Sequence, residues 1–255
     1  MNITEESRSS FSAPVDDPIV SVRDISKVYP GAVALAGVNL DLGRGEVHGL
    51  LGENGAGKST LINILSGTVT PSGGTVLIAG SAVNIATPQE AHELGIATVH
   101  QEQSLIPNLT AVQNIFLGRE MLTGKTRFGQ VLDEKGMRAR VRELAEEFGL
   151  DGRDLDVPVA ALGALKQHVI QIIKALAFRT EVLILDEPTS GLADHERHTL
   201  FAHMRQLKER GIALLWVTHR LDELFGLADT ITVLRDGRFV ANVDPADQSP
   251  DSLVR

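Results

Sequence analysis

The residues with the clearest chemistry are Gly52-Glu53-Asn54-Gly55-Ala56-Gly57-Lys58-Ser59-Thr60, spaced as G-x-x-x-x-G-K-[ST]. Gly52, Gly55 and Gly57 allow backbone conformations that other residues resist. Successive backbone N–H groups can then converge on phosphate oxygens, and a helix starting near Lys58 adds its partial positive charge. Lys58 would reach the β- and γ-phosphates of a nucleotide, the Ser59 hydroxyl would bind Mg²⁺, and Thr60 would add a further phosphate contact. The flanks agree with this reading. Glu46 to Leu51 is a short apolar strand, and Leu61, Ile64 and Leu65 recur at helical spacing.

Three further groups follow apolar, strand-like runs. Val182 to Leu185 delivers Asp186 and Glu187. Asp186 could hold Mg²⁺ through water, and Glu187 could position or deprotonate a water facing the γ-phosphate. A carboxylate beside an anionic nucleotide has a raised proton affinity, which suits that role. Ala213 to Val217 runs into Thr218 and His219, whose imidazole could bond the γ-phosphate and the attacking water. Ile96 to Val99 precedes Gln101, which offers a neutral oxygen to Mg²⁺ and an amide to water. The other histidines, at 48, 92, 100, 168, 195, 198 and 203, have no such setting.

These groups need strands to carry them. Alternating stretches over Ile19–Ile25 and Ala34–Leu42 predict strands, and a pair of runs around Asp236-Gly237 predicts a hairpin. Helical spacing marks the stretch from Lys58 to near Gly67, then 88–94, 136–148, 165–178, 194–210 and 220–225. Residues 119–135 read as irregular and polar. The alternation of strands and helices predicts a largely parallel sheet covered on both faces, with its ligand outside the carboxyl ends of the strands. The phosphate loop, Gln101, Asp186-Glu187 and His219 would all lie at that edge. Arg138, Arg140 and Arg142 read as a solvated helix face.

Composition sets the outer bounds. At 255 residues, with 43% hydrophobic and 22% charged residues, the chain can bury a sizeable, mostly aliphatic core. A net charge of −9 argues against a general nucleic-acid binder. With no cysteine, disulfides and thiolate metal sites are excluded. The first residues lack the apolar region of a signal peptide, and no apolar run approaches the roughly 18 residues of a membrane helix. A membrane role would therefore need a partner.

Over residues 19–245 the chain resembles the ATP-binding subunits of ABC transporters. Gly52–Thr60 matches that family's Walker A motif, Val182–Pro188 its Walker B with the following glutamate, Gln101 its Q-loop and His219 its switch histidine. Tyr29 lies where the family stacks an aromatic on adenine, although an aromatic there could equally be a core side chain. Ile96–Glu120, Ile172–Leu176 and Asp186–Leu192 are similar to the carbohydrate-importer type that handles ribose, galactose and xylose. The resemblance implies a P-loop NTPase fold with a mostly parallel core sheet, an antiparallel β subdomain and a helical subdomain at about 102–180. Residues 1–18 would form a disordered lead and 246–255 a tail or the start of a linker. It further implies ATP and Mg²⁺ as cofactors, with Ser59, Gln101 and Asp186 at the ion. The nucleotide would contact Tyr29, Gly52, Glu53, Asn54, Gly55, Ala56, Gly57, Lys58, Ser59 and Thr60, and Glu187, His219, Gln101 and Lys58 would carry catalysis. The implied partners are a second ATPase domain, a transmembrane permease and, indirectly, a solute-binding protein, with the chain peripheral on the cytoplasmic face of the membrane. Since the family usually fuses two ATPase domains, the chain resembles the first of them and would be a fragment or a shortened relative.

One segment departs from the family pattern. The signature motif, normally LSGGQ or a variant, aligns with Leu162-Gly163-Ala164-Leu165-Lys166-Gln167. Gly163 replaces a serine, Leu165 a glycine and Lys166 a glutamine. In the family this motif acts across a dimer on the partner's ATP, so the resemblance implies one good hydrolytic site, built on this chain's Walker motifs and a partner's signature. Lys166 could bind phosphate as a point charge or simply be solvated. Ala193 also departs, standing where many relatives carry Asp, Thr or Ser. A non-hydrolysing nucleotide-binding regulatory module and a non-transport ABC ATPase remain the alternative readings.

Overall fold

The computed structural model describes residues 17–100, 105–126 and 129–247. In chain order the elements are β1 (Val20–Tyr29), β2 (Ala32–Leu42), β3 (Val47–Leu51), α1 (Lys58–Leu65), β4 (Gly73–Ile78), β5 (Ser81–Val83), α2 (Pro88–Glu93) and β6 (Ile96–Val99). They continue with α3 (Ala111–Phe116), β7 (Leu122–Thr126), β8 (Gly129–Leu132), α4 (Glu134–Glu147), α5 (Ala164–Leu176) and β9 (Val182–Asp186). The remainder are α6 (Asp194–Glu209), β10 (Ala213–Thr218), α7 (Leu221–Leu227), β11 (Thr230–Arg235) and β12 (Arg238–Val243).

The central sheet has the order β12-β11-β3-β10-β9-β6. Every pair in it is parallel except β11–β12. Its strands are apolar at nearly every position because both faces are covered. Along β9, Val182 and Ile184 enter one core while Leu183 and Leu185 enter the other. On β10, Ala213, Leu215 and Val217 face the first, and Leu214 and Trp216 the second. The period of two thus divides one strand between two cores.

The first core lies between this sheet, α1 and an antiparallel sheet of order β2-β1-β4-β5. The second gathers α3, α4, α5 and α6, with Phe116, Phe148 and Trp216 among its buried aromatics. The amphipathic helix predicted over 136–148 is α4, which buries Met137, Val141 and Ala145. Its Arg138 pairs with Asp156 and its Arg142 with Glu146, in keeping with a solvated face.

Two expectations need correction. Residues 119–135, read as irregular, contain the β7–β8 hairpin, in which Leu122 pairs with Leu132. Gly124 and Gly129 had suggested a loop. The hairpin also leaves apolar residues exposed, Leu122, Val131 and Leu132 among them, so it lacks the buried alternation that would announce it. Gly73 and Gly74, a pair whose composition suggests a turn, instead begin β4, where Gly74 has a φ of 90° beside the bulge in the β1–β4 pairing. The short strand β5 had no sequence signal. The proposed lead falls almost wholly outside the described residues, as does most of the proposed tail.

Candidate functional site

The parallel strands β3, β10, β9 and β6 are neighbours, so their carboxyl ends bring together the phosphate loop, His219, Asp186-Glu187 and His100. This is the edge predicted from the sequence. Gln101, the residue after His100, lies outside the described residues.

Gly57 caps α1 in the left-handed region at φ 100°, a conformation that costs an L-residue roughly 1–2 kcal/mol. A Cβ there would also meet Leu35 Cδ2 at 2.6 Å and the Ala34 oxygen at 2.7 Å. At Gly52 the obstacle is close approach, since a Cβ would lie 2.6 Å from the Leu234 oxygen. The loop is therefore wedged between β2 and the β11–β12 hairpin. Backbone bonds complete the wedge. Gly237 N–H donates to the Ala56 oxygen at 3.1 Å, and Ala36 N–H donates to the Gly237 oxygen at 2.8 Å. The Asp236-Gly237 turn was legible as a hairpin turn, but its role as a prop for the phosphate loop was not.

Lys58 is 7% exposed, and its ammonium donates to the carbonyls of Gly52 at 2.6 Å and Glu53 at 3.1 Å. Burial lowers its pKa from the ordinary lysine value, and Glu187 and Asp186 oppose that shift. Burial also raises the Asp186 carboxyl, helped by the adjacent Glu187 charge and opposed by His100 and Lys58. Both shifts arise first from burial, which sets the ammonium and the carboxylate in a partly desolvated site. Among the described residues no group of three or more His, Asp and Glu could hold an ion by itself. The donor chemistry that could suit Mg²⁺ is one hydroxyl (Ser59) and one carboxylate (Asp186), which would need phosphate oxygens to complete it.

Glu187 has a φ of 48°, unusual for a side chain other than glycine and worth roughly 1–3 kcal/mol of strain. The surroundings hold it there. Its N–H donates to the Val217 oxygen at 2.9 Å, and its Oε1 lies 2.8 Å from His219 Nδ1. Two catalytic candidates chosen independently from the sequence are thus in direct contact. His219 is otherwise open to solvent, with 56% of its side chain exposed.

Tyr29 ends β1 at the tip of the β1–β2 hairpin and is 37% exposed. It is not a core residue. The Lys27 ammonium lies over its ring, 5.1 Å from the centroid.

The signature segment is built differently. Gly163 caps α5 without a side-chain hydrogen bond, although a Cβ there would meet nothing within 4 Å. A serine would fit, so the departure is chemical rather than steric. Lys166 donates to both Asp154 oxygens at 2.7 Å. The pair holds its ammonium while 43% of the side chain stays exposed. Gln167 turns back to the Leu162 oxygen at 2.8 Å and the Val159 oxygen at 3.1 Å, and Leu165 packs against the core.

Sequence reasoning missed two polar residues. Glu223, 2% exposed, binds Thr189 and Thr218 beneath the Glu187–His219 pair. A glutamate in the first turn of a short helix carries no sequence signal of burial. Asn114, fully buried, accepts from Ile106 N–H at 2.7 Å and donates to the oxygens of Ile106, Leu109 and Thr110. It staples the loop that follows Gln101.

Residues 35–190, which hold both the phosphate loop and Glu187, match the protein-family model described as ABC transporter. The chain belongs to the ABC transporter family. The ribose import ATP-binding protein RbsA 1 of Rubrobacter xylanophilus is 47% identical over 93% of this chain but only 46% of its own length. The protein of the same name from Streptomyces avermitilis is 47% identical over 94% of this chain and 44% of its own. The chain therefore spans about half the length of the curated relatives it matches. A solved nucleotide-free ATP-binding cassette from an ABC transporter shares the fold, with a TM-score of 0.81 over 92% of this chain and 97% of that one, at 24% identity. A dimeric ABC cassette solved in a post-hydrolysis state with ADP and Pi aligns at 25% identity and a TM-score of 0.74, covering 89% of this chain and 98% of that one. Among the described residues no helix is long and apolar enough to cross a membrane.

Proposed function

We propose that this chain is the ATP-binding and hydrolysing domain that drives import of a sugar or sugar-like solute through a membrane permease. The observation that carries the proposal is the 2.8 Å contact between Glu187 and His219 at the strand edge that also presents the phosphate loop. Lys58 and the loop N–H groups would hold the β- and γ-phosphates, with Tyr29 against the adenine. Ser59 and Asp186, joined by Gln101, would hold Mg²⁺, which neutralises phosphate charge when bound. Glu187 would orient and deprotonate the attacking water, and His219 would fix the glutamate and contact the γ-phosphate. The chain supplies positioning and charge, the main demands of phosphoryl transfer.

The closing surface would come from a second ATPase domain. The half-length match to the ribose import proteins and the dimeric state of the solved cassette support that pairing. This domain would sit at the cytoplasmic face of the membrane, with a permease as partner and a solute-binding protein acting indirectly. The test is Glu187→Gln in the complete ATPase assembled with its permease. Loss of a positioned base should lower turnover by about 10²–10⁴-fold while ATP still binds. Turnover near wild type would remove Glu187 from the mechanism.

One observation favours a second reading, a nucleotide-binding module that does not hydrolyse. The signature residues Lys166 and Gln167 are committed to internal partners. Under that reading ATP binds but no assembly turns it over.

A further inference from the structure

The Glu187–His219 contact belongs to a closed ring. Thr218, the residue before His219, donates its hydroxyl to Glu223 Oε2 at 3.1 Å. Thr189, two residues after Glu187, donates its hydroxyl to Glu223 Oε1 at 2.6 Å. The chain then runs from Thr189 through Pro188 to Glu187, whose carboxylate returns to His219. All three members below the pair are buried, with Thr189 at 5%, Thr218 at 2% and Glu223 at 2% exposed. Thr218 Oγ1 also accepts from Arg220 N–H at 3.0 Å, and Arg220 Nε lies 3.4 Å from Glu223 Oε1.

A buried carboxylate must be matched by donors, and here two hydroxyls and a guanidinium match it. The hydroxyls come from two separate segments, the end of β10 and the turn after β9, each leading to or from one member of the candidate catalytic pair. We propose that Glu223 is a positioning residue for hydrolysis, setting the distance between Glu187 and His219 through Thr189 and Thr218. The inference rests on the roles assigned above to Glu187 and His219. It explains why a carboxylate stands in the interior beneath a strained residue. Beside the bonds that hold Glu187 itself, Glu223 gives the segment just downstream an anchor through Thr189.

Glu223 touches no substrate atom, so its removal should act on turnover and leave ATP binding intact. Glu223→Gln keeps the size but leaves one threonine hydroxyl without its acceptor. Thr189→Val cuts one strap and spares the carboxylate. Both are measured in the complete ATPase with its permease, alongside Glu187→Gln and each double variant. The readouts are kcat, KM, fluorescent-ATP affinity and Tm. We expect kcat to fall at least about tenfold, with KM and ATP affinity within about twofold of wild type, as for loss of an interaction felt only in the transition state. In the Glu187→Gln background the same changes should lower residual turnover by less than about twofold, because residues acting as a unit are not additive. Wild-type kcat in both Glu223→Gln and Thr189→Val would overturn the proposal. So would parallel losses of kcat, ATP affinity and Tm, or full additivity with Glu187→Gln. If Glu187→Gln itself left turnover unchanged, the fault would lie with the catalytic assignment instead.

Discussion

Two helix starts in this chain face the same task and are equipped unequally. At α1, three glycines shape the turn, Gly57 caps in the left-handed region, and Lys58 is held inside the loop by two carbonyls. At α5, Gly163 is the single glycine, Leu165 is turned into the core, and Lys166 is paired with Asp154. Backbone N–H groups at a helix start favour an anion only when backbone and side chains leave room for it. The first start keeps its polar groups at the carboxyl edge of the sheet, beside Asp186, Glu187 and His219. The second satisfies its polar groups within its own subdomain. The difference supports the proposal of one phosphate site, at the start of α1, whereas at the start of α5 Lys166 and Gln167 bond within the chain.

The largest expected effect that sharpens this contrast concerns Tyr29. If nucleotide binds at the α1 end, Tyr29→Ala should weaken ATP affinity about tenfold, since stacking a base on an aromatic contributes about 1–3 kcal/mol. Equilibrium binding of fluorescent ATP measures it, and an unchanged affinity would take the adenine away from the β1–β2 hairpin. Next comes Asp154→Asn, which removes the charge that binds Lys166. Breaking that pair should cost about 1–3 kcal/mol, read by denaturant unfolding, with ATP affinity unchanged. A change in ATP affinity would mean that the signature segment does take part in binding.

The smallest effect is at Asp186. Its folded pKa is raised above the unfolded carboxylate value of about 3.9, so the folded state holds the proton more tightly. Ionised Asp186 therefore lowers stability above its folded pKa, and the penalty disappears as pH falls below the unfolded value. Asp186→Asn should raise the Tm of the nucleotide-free protein at neutral pH by about 2–4 °C, a shift corresponding to roughly 1 kcal/mol in a domain of this size. The gain should vanish in acid. Glu46 makes the opposite comparison. Burial pushes its carboxyl up, but hydrogen bonds from His48 and the Gly43 N–H more than offset this and hold its pKa below the ordinary value. Its stabilisation is present above the unfolded pKa and lost as pH falls through the folded one.

The common edge of the phosphate loop, Asp186-Glu187 and His219 was legible because each follows an apolar run closely, and a parallel sheet aligns strand ends. The glycine-rich turn between β3 and α1 was legible from its spacing together with its strand and helix flanks. What the sequence concealed was support across long separations. Glu223 reaches Thr189, 34 residues away, and Gly237 props Ala56 from the far end of the chain. Such contacts depend on the sheet order, which no local pattern encodes. The Lys166–Asp154 pair was hidden for a related reason, since Asp154 lies outside the lysine's own helix. The β7–β8 hairpin escaped notice because its apolar positions are exposed rather than alternately buried.

The most direct measurement is the calorimetric titration of Mg-ATP into this chain in wild-type, Lys58→Ala and Lys166→Ala forms. The account predicts one ATP per chain, weakened at least about tenfold by Lys58→Ala, as for loss of a charge-assisted phosphate contact, and unaffected by Lys166→Ala. Binding that survives Lys58→Ala unchanged, or that depends on Lys166, would contradict it.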